Sequence, residues 1–110
     1  MNADYVPFAA IARHLEIHRD TIYEAAKGRA VNRRSQILLS QFLIRLEAGE
    51  LEARQTSIHG RYEIFYVENP RPRLRFRVEL NRGAAGLRLT TVPYQPLPRM
   101  PSFAKVFGTK

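Results

Sequence analysis

Residues 8–28, FAAIARHLEIHRDTIYEAAKG, contain two short helical patterns on either side of a tight connection. Apolar residues recur at spacings of three and four, which places them on one face of each helix. They are Phe8, Ile11, Ala12 and Leu15 in the first helix, and Ile22, Ala25 and Ala26 in the second. Pro7 suits the first turn of the first helix, and Gly28 follows the end of the second. We therefore predict helices over residues 8–15 and 19–27.

A third and longer helix is predicted over residues 33–48, because seven apolar residues form a wide stripe there. They are Ile37, Leu38, Leu39, Phe42, Leu43, Ile44 and Leu46. Asn32 is a suitable N-cap, and Gly49 suits the position just after the last turn. The sequence allows one further helical turn at 49–55, followed by a connection at 55–60.

The pattern changes to a strand-like period near residues 53–61. Aromatic and β-branched residues are frequent in 61–68 and 74–80, and GAAG at 83–86 suits a turn before 87–94. Within 74–80, apolar residues alternate with mostly cationic ones, so that one face of the strand is apolar. The simplest arrangement is a three-stranded antiparallel meander.

Composition limits the classes of function. The 110 residues include no Cys and three His, which excludes disulfides, thiolate chemistry and Cys-ligated zinc. No nucleophile with a neighbouring base, paired catalytic carboxylates or Gly-rich phosphate loop is evident, so we predict neither an enzyme nor a bound metal or cofactor. No run approaches the roughly 20 apolar residues of a membrane span, and we expect a cytoplasmic protein without a membrane partner. The β half is small for an internal pocket, so no small-molecule effector is expected.

The charge of the chain indicates a polyanionic partner. Eighteen Lys and Arg against ten Asp and Glu leave a net charge of +8. Residues 1–60 hold 8 cations and 7 anions, and residues 61–110 hold 10 and 3, so the two halves carry +1 and +7. Lys and Arg that neutralise phosphates release counterions and gain affinity for nucleic acid.

Residues 8–28 also meet the steric needs of a helix-turn-helix, in which two helices cross steeply over a turn of three or four residues. Ala12 is small where the helices approach each other, and Leu15 and Ile17 flank the turn. Ile22 and Ala25 lie on the inward side of the second helix.

The stretch resembles the phage-repressor and Cro-like helix-turn-helix regulators, whose pattern reads roughly I-A-x-x-L-G-V-S-R-x-T-I-Y-x-x-x-x-G. The residues that carry the resemblance are Ile11, Ala12, Leu15, Ile17, Arg19, Asp20, Thr21, Ile22, Tyr23 and Gly28. With the third helix, it covers about residues 8–49. Glu16 stands where these regulators prefer Gly, and His18 stands where Ser or Thr usually caps the second helix.

The resemblance implies an α+β fold in which an N-terminal helical helix-turn-helix domain is followed by a small antiparallel three-stranded β meander. Residues 1–54 would bind DNA, residues 55–95 would form the meander and join two subunits, and residues 96–110 would be a Pro-rich basic tail.

The resemblance further implies that the second helix enters the major groove of double-stranded DNA. Its outward residues are then His18, Arg19, Asp20, Tyr23, Glu24 and Lys27. Arg19 can pair with guanine, and Asp20 or Glu24 can accept from cytosine. His18, Thr21 and Tyr23 can reach phosphates or a thymine methyl group. Lys27, Arg29, Arg33 and Arg34 would hold the DNA backbone, and residues 18–34 sum to about +3.

These observations predict a sequence-specific transcriptional regulator of double-stranded DNA, of the phage or prophage repressor type, in a bacterial cytoplasm. One short recognition helix makes few base contacts, so we expect a homodimer that binds an inverted-repeat operator.

Other functions remain open from the sequence. The chain can be an architectural or recombination-accessory DNA-binding protein of low sequence specificity. It can bind single strands through rings and cations of the β half, which are Tyr62, Phe65, Tyr66 and Phe76 beside Arg73, Arg75 and Arg77. It can be a protein-interaction module, and its helix pair can be a purely structural hairpin.

Overall fold

The order of helices and strands along the chain differs from the expected order. The computed structural model describes residues 4–57, 60–68, 75–81, 85–92 and 106–107. The elements are β1 (Asp4–Pro7), α1 (Phe8–Leu15), α2 (Arg19–Ala26), α3 (Arg33–Glu47), β2 (Leu51–Gln55), β3 (Tyr62–Tyr66), β4 (Arg75–Asn81) and β5 (Gly86–Val92). Within these residues, one strand therefore comes first, then three helices, then four strands.

The strands form two antiparallel sheets. In the first, β5 lies between β1 and β4, with Val6 opposite Leu87 and Val78 opposite Leu89. In the second, β2 pairs with β3. The two sheets meet where β1 contacts β2. The Tyr5 ring of β1 also lies edge-on to the Tyr62 ring of β3, with 6.0 Å between the ring centroids.

This topology corrects the prediction of a helix-turn-helix domain followed by a three-stranded meander. The strand at 62–66 pairs with β2, whereas β4 pairs with β5, and β1 completes their sheet. The helical turn expected at 49–55 is also wrong, because this segment is β2. Pairing with β3 buries Leu51, which is 2% exposed, and β1 covers the edge that β5 would otherwise leave open.

The expected helices are confirmed to within one residue at each end. Asn32 caps α3, where its Oδ1 accepts a hydrogen bond from the Ser35 N–H at 2.8 Å. Gly28 and Gly49 follow α2 and α3 with φ of 79° and 77°, the left-handed conformation that ends a helix with least strain.

The core is shared between the helices and both sheets. Its buried residues are Val6, Phe8, Ile11, Ile22, Ala25, Leu39, Phe42, Leu43, Leu46, Leu51, Val78, Leu87, Leu89, Val106 and Phe107. The inward faces predicted for the first two helices are thus confirmed. Ile37 differs, since it belongs to the predicted stripe of α3 yet is 46% exposed.

An ionic link joins α1 to β3. The Arg13 Nε lies 3.2 Å from the Glu63 Oε2, and the Arg13 guanidinium also donates to the Tyr62 carbonyl oxygen. Arg61 donates to the same carboxylate at 3.1 Å. The hydrogen bond from Arg61, then the charge of Arg13, lowers the pKa of Glu63. The side chains of α1 thereby cover one side of β3.

We expect Gly86→Ala to destabilise the fold. A Cβ at this position would lie 2.7 Å from the Val6 carbonyl oxygen and 2.5 Å from the Tyr5 Cε1. The main-chain oxygen cannot retreat without disturbing the pairing of β1 with β5. The free energy of unfolding should fall by about 1–3 kcal/mol in urea denaturation, as for other overpacked sites. Thr90→Ala, at an exposed position of the same strand, should change it by less than about 0.5 kcal/mol. Equal effects of the two substitutions would contradict the close contact.

We expect His14 to make stability depend on pH. Burial beside Phe42 and Tyr66, and secondly the charge of Arg45, lowers the pKa of His14 below its ordinary 6.5. Below pH 6.5 the unfolded chain then binds more protons at this residue than the folded chain. The free energy of unfolding therefore decreases as the pH is lowered. His14→Gln should flatten this dependence between neutral and mildly acidic pH in urea titrations. An unchanged slope would show that His14 is not its source.

Candidate nucleic-acid interface

Three residues, 16–18, connect α1 to α2. Glu16 adopts the left-handed conformation, φ 57° and ψ 44°, at the position where the resembling regulators prefer Gly. Its N–H donates to the Ala12 carbonyl oxygen, and the Ile17 N–H reaches the same oxygen at 3.2 Å. The turn therefore has the backbone that a glycine would supply, at the strain cost of a side chain.

His18 is the N-cap of α2. Its Nδ1 accepts a hydrogen bond from the Asp20 N–H at 3.0 Å, as an Asn or Ser side chain would in this position. The sequence indicated a poorer cap than usual here, because His is not among the preferred capping residues. Asp20 lies in the first turn, where the positive end of the helix dipole favours a carboxylate.

The inward face of α2 is held firmly. Ile22 and Ala25 are both 0% exposed. Tyr23 is half-buried, with its ring edge-on to Phe8 and 5.3 Å between centroids. The Phe8 contact joins two helices and leaves no local signal in the sequence.

Tyr23 also lies close to Tyr5. Burial of Tyr5, and after it the proximity of Tyr23 and Tyr62, raises the pKa of the Tyr5 phenol. Tyr23 is thus partly buried against the core and is less outward than predicted. Thr21 is also half-buried, and its N–H donates to the His18 carbonyl oxygen at 3.0 Å.

The outward face begins with three exposed residues, His18, Arg19 and Asp20. Arg19 makes no ion pair or side-chain hydrogen bond with any residue that the structure describes. Since α2 has eight residues, it is about 12 Å long, comparable with the width of the major groove. Arg19 is the first residue of α2, and Lys27 is its C-cap, so these two cations lie at opposite ends of the helix.

At the far end of α2, Glu24 restrains two of the predicted cations. Its carboxylate lies 3.0 Å from the Arg29 Nη1 and 3.5 Å from the Lys27 Nζ. The hydrogen bond from Arg29, followed by the charges of Arg29 and Lys27, lowers the pKa of Glu24. Glu24 is thus engaged within the chain and orients these cations at one side of the helix.

Arg33 and Arg34 are exposed in the first turn of α3, which contains no acidic residue. The positive end of the helix dipole disfavours cations in that turn. Neither side chain has an ionic or hydrogen-bonding partner within the described ranges. An anion bound here would offset the repulsion between the arginines and the helix dipole and would also give the arginines a partner, because helix N-termini and arginines both attract phosphate.

The rings proposed for single-strand binding do not share one surface. Tyr62 packs against Tyr5, and the Arg54 guanidinium lies 4.0 Å above the neighbouring Phe65 ring. Phe76 packs against the core, while Tyr66 is 63% exposed. Of the arginines named with them, Arg73 and the side chain of Arg75 lie outside the described residues, as does most of the basic tail.

No family model, curated protein or solved structure matches this chain. Among the described helices, none is long and apolar enough to cross a membrane. No group of three or more His, Asp and Glu within the described ranges is arranged to hold a metal ion.

We expect Glu16→Gly to stabilise the protein. Glycine adopts the left-handed conformation without the Cβ penalty, so the free energy of unfolding should rise by about 0.5–1 kcal/mol. Glu16→Ala removes the same carboxylate but keeps the Cβ, and it should give no such gain. Thermal denaturation of both variants measures the difference. A gain from both would trace the effect to the charge of Glu16 and not to the turn.

Proposed function

We propose that this protein is a sequence-specific transcriptional regulator that binds double-stranded DNA as a homodimer at an inverted-repeat operator. In this proposal it is a repressor of the phage or prophage type and works in the cytoplasm of a bacterial cell. The observation that carries the proposal is Arg19, which is exposed and makes no ion pair with the described residues, in the first turn of a helix whose opposite face is buried. The three-residue turn that precedes this helix also supports the proposal, because two helices joined by a turn of this length are typical of the regulators that the sequence resembles.

The first turn of α2 reads the bases. Arg19 can donate two hydrogen bonds to the O6 and N7 of a guanine, and Asp20 can accept from the amino group of a cytosine. His18 and Thr21 lie beside them and reach phosphates at the groove edge. Tyr23 is held by Phe8 and fixes the angle at which α2 is presented.

The backbone of the DNA is held beyond the other end of α2. Lys27 and Arg29 are oriented by Glu24, and Arg33 and Arg34 extend the positive surface onto the first turn of α3. Phosphate contacts of this kind place a protein on the duplex and carry no sequence information themselves.

A homodimer follows from the size of the reading element. A helix of eight residues offers few side chains to base edges, and each good contact discriminates by about 1–3 kcal/mol. Two copies related by a two-fold axis double the number of bases read, and the bound sequence is then an inverted repeat.

Selection from a random duplex library at about 150 mM salt tests the proposal. We expect the wild type to select an inverted repeat, and Arg19→Ala to lose discrimination at one position of each half-site, by about 10- to 100-fold in affinity. Arg45→Ala removes the same charge from an exposed position in the last turn of α3 and should select the wild-type sequence.

Binding that shows no sequence preference, survives Arg19→Ala and collapses as salt rises would contradict the proposal. The function would then belong to the basic second half of the chain, as in an architectural DNA-binding protein.

A further inference from the structure

β4 is an outer strand of the first sheet, and its charged and apolar side chains are complementary to those of a second, antiparallel copy of the same strand. We propose that β4 of one chain pairs antiparallel with β4 of a second copy, with Val78 at the centre of the pairing. This inference rests on the homodimer of the proposed function and identifies the surface that forms it.

β4 is the long strand edge that the described residues leave open. β5 occupies one side of its seven residues, and no strand among the described residues pairs with the other side. The remaining outer edges differ. β1 has only four residues and lies against β2, and β3 is covered on one side by α1 through Arg13. A seven-residue edge that no described strand pairs with is a template for another strand.

The two faces of β4 restrict the possible registers. Phe76, Val78 and Leu80 point to the core side, where Val78 is 6% exposed, and Arg77 and Glu79 alternate with them on the outer side. Shifting an antiparallel pair by one residue moves every side chain of one copy to the other face. Only a register centred on a residue therefore keeps the apolar sides of both copies together.

Charge selects Val78 as that residue. With Val78 opposite itself, Arg77 of each copy faces Glu79 of the other, and Phe76 faces Leu80. Centring on Arg77 would oppose two arginines, and centring on Glu79 would oppose two glutamates, and like charges directly opposite are destabilising. Of these three registers, only the one centred on Val78 opposes no like charges.

The state of these two charges within one chain fits this pairing. The Glu79 Oε1 accepts from the Arg88 Nη2 at 3.0 Å, which leaves Oε2 for a second donor. Arg77 is exposed opposite Thr90 and has no ion pair or side-chain hydrogen bond among the described residues. In the dimer, each Glu79 would bridge Arg88 of its own chain and Arg77 of the other.

The pairing would make one sheet of six strands across two copies, with a two-fold axis perpendicular to it. Both copies of α3, which packs against β4, then lie on the same side of that sheet. The two copies of α2 are related by the same axis, as an inverted repeat requires.

Two charge reversals test the register by analytical ultracentrifugation. Arg77→Glu places glutamates opposite each other, and Glu79→Arg places arginines opposite each other, so each variant alone should dimerise at least about tenfold more weakly than the wild type. In an equimolar mixture, the two variants should form a heterodimer, because every facing pair is then opposite in charge. Arg45→Glu reverses a charge at an exposed position of α3 that lies near His14 of α1, and it should leave the dimer intact.

A monomeric wild type would overturn the pairing, and so would single variants that dimerise normally or a mixture that does not recover. Circular dichroism of each variant shows whether it is folded. The experiments distinguish the two proposals. If the wild type forms a dimer but shows no DNA sequence preference, the proposed regulator is contradicted and the β4 pairing is not. If a variant that no longer dimerises still selects a half-site, both proposals are supported.

Discussion

The pairing of β1 with β5 is the constraint on which the rest of the structure depends. It places Val6 opposite Leu87, both 0% exposed, and brings the Tyr5 ring over Gly86. Since β1 continues directly into α1, whose first N–H donates to the Ala85 carbonyl oxygen at 2.8 Å, the strand also sets where the helix pair begins. The orientation of the candidate interface is therefore decided by residues from the opposite half of the chain.

The candidate interface combines a rigid inner face with an outer face that is left electrostatically unbalanced. Buried Ile22 and Ala25 anchor α2, while Arg19 in its first turn and the two arginines at the start of α3 make no ion pair with the described residues. Glu24 compensates only the cations nearest to it. Unpaired cations beside a positive helix end cost stability, and a bound polyanion would offset that cost.

The helix α3 connects the two proposals physically. Its first turn carries Arg33 and Arg34, and its body packs against β4, the strand proposed to join two copies. In the proposed dimer, a change at the β4 edge would thus alter the spacing of the two α3 turns proposed to bind phosphate, and of the two copies of α2. The half-site spacing of an operator would report on this geometry, because rigid elements transmit it.

Local periodicity by itself determined the three helices, the cap at Asn32 and the inward faces of α1 and α2, because these depend on neighbours three and four residues away. It did not determine β1 or β2. Residues 51–55, LEARQ, consist largely of good helix formers, and only pairing with β3 and burial of Leu51 make them a strand. Four residues at the N-terminus carry too little pattern to predict a strand, and distant β5 decides it. In the candidate site, the spacing identified the residues of α2, whereas only tertiary contacts showed that Tyr23 packs on Phe8, that Glu24 binds its own cations and that Arg19 stays free among the described residues.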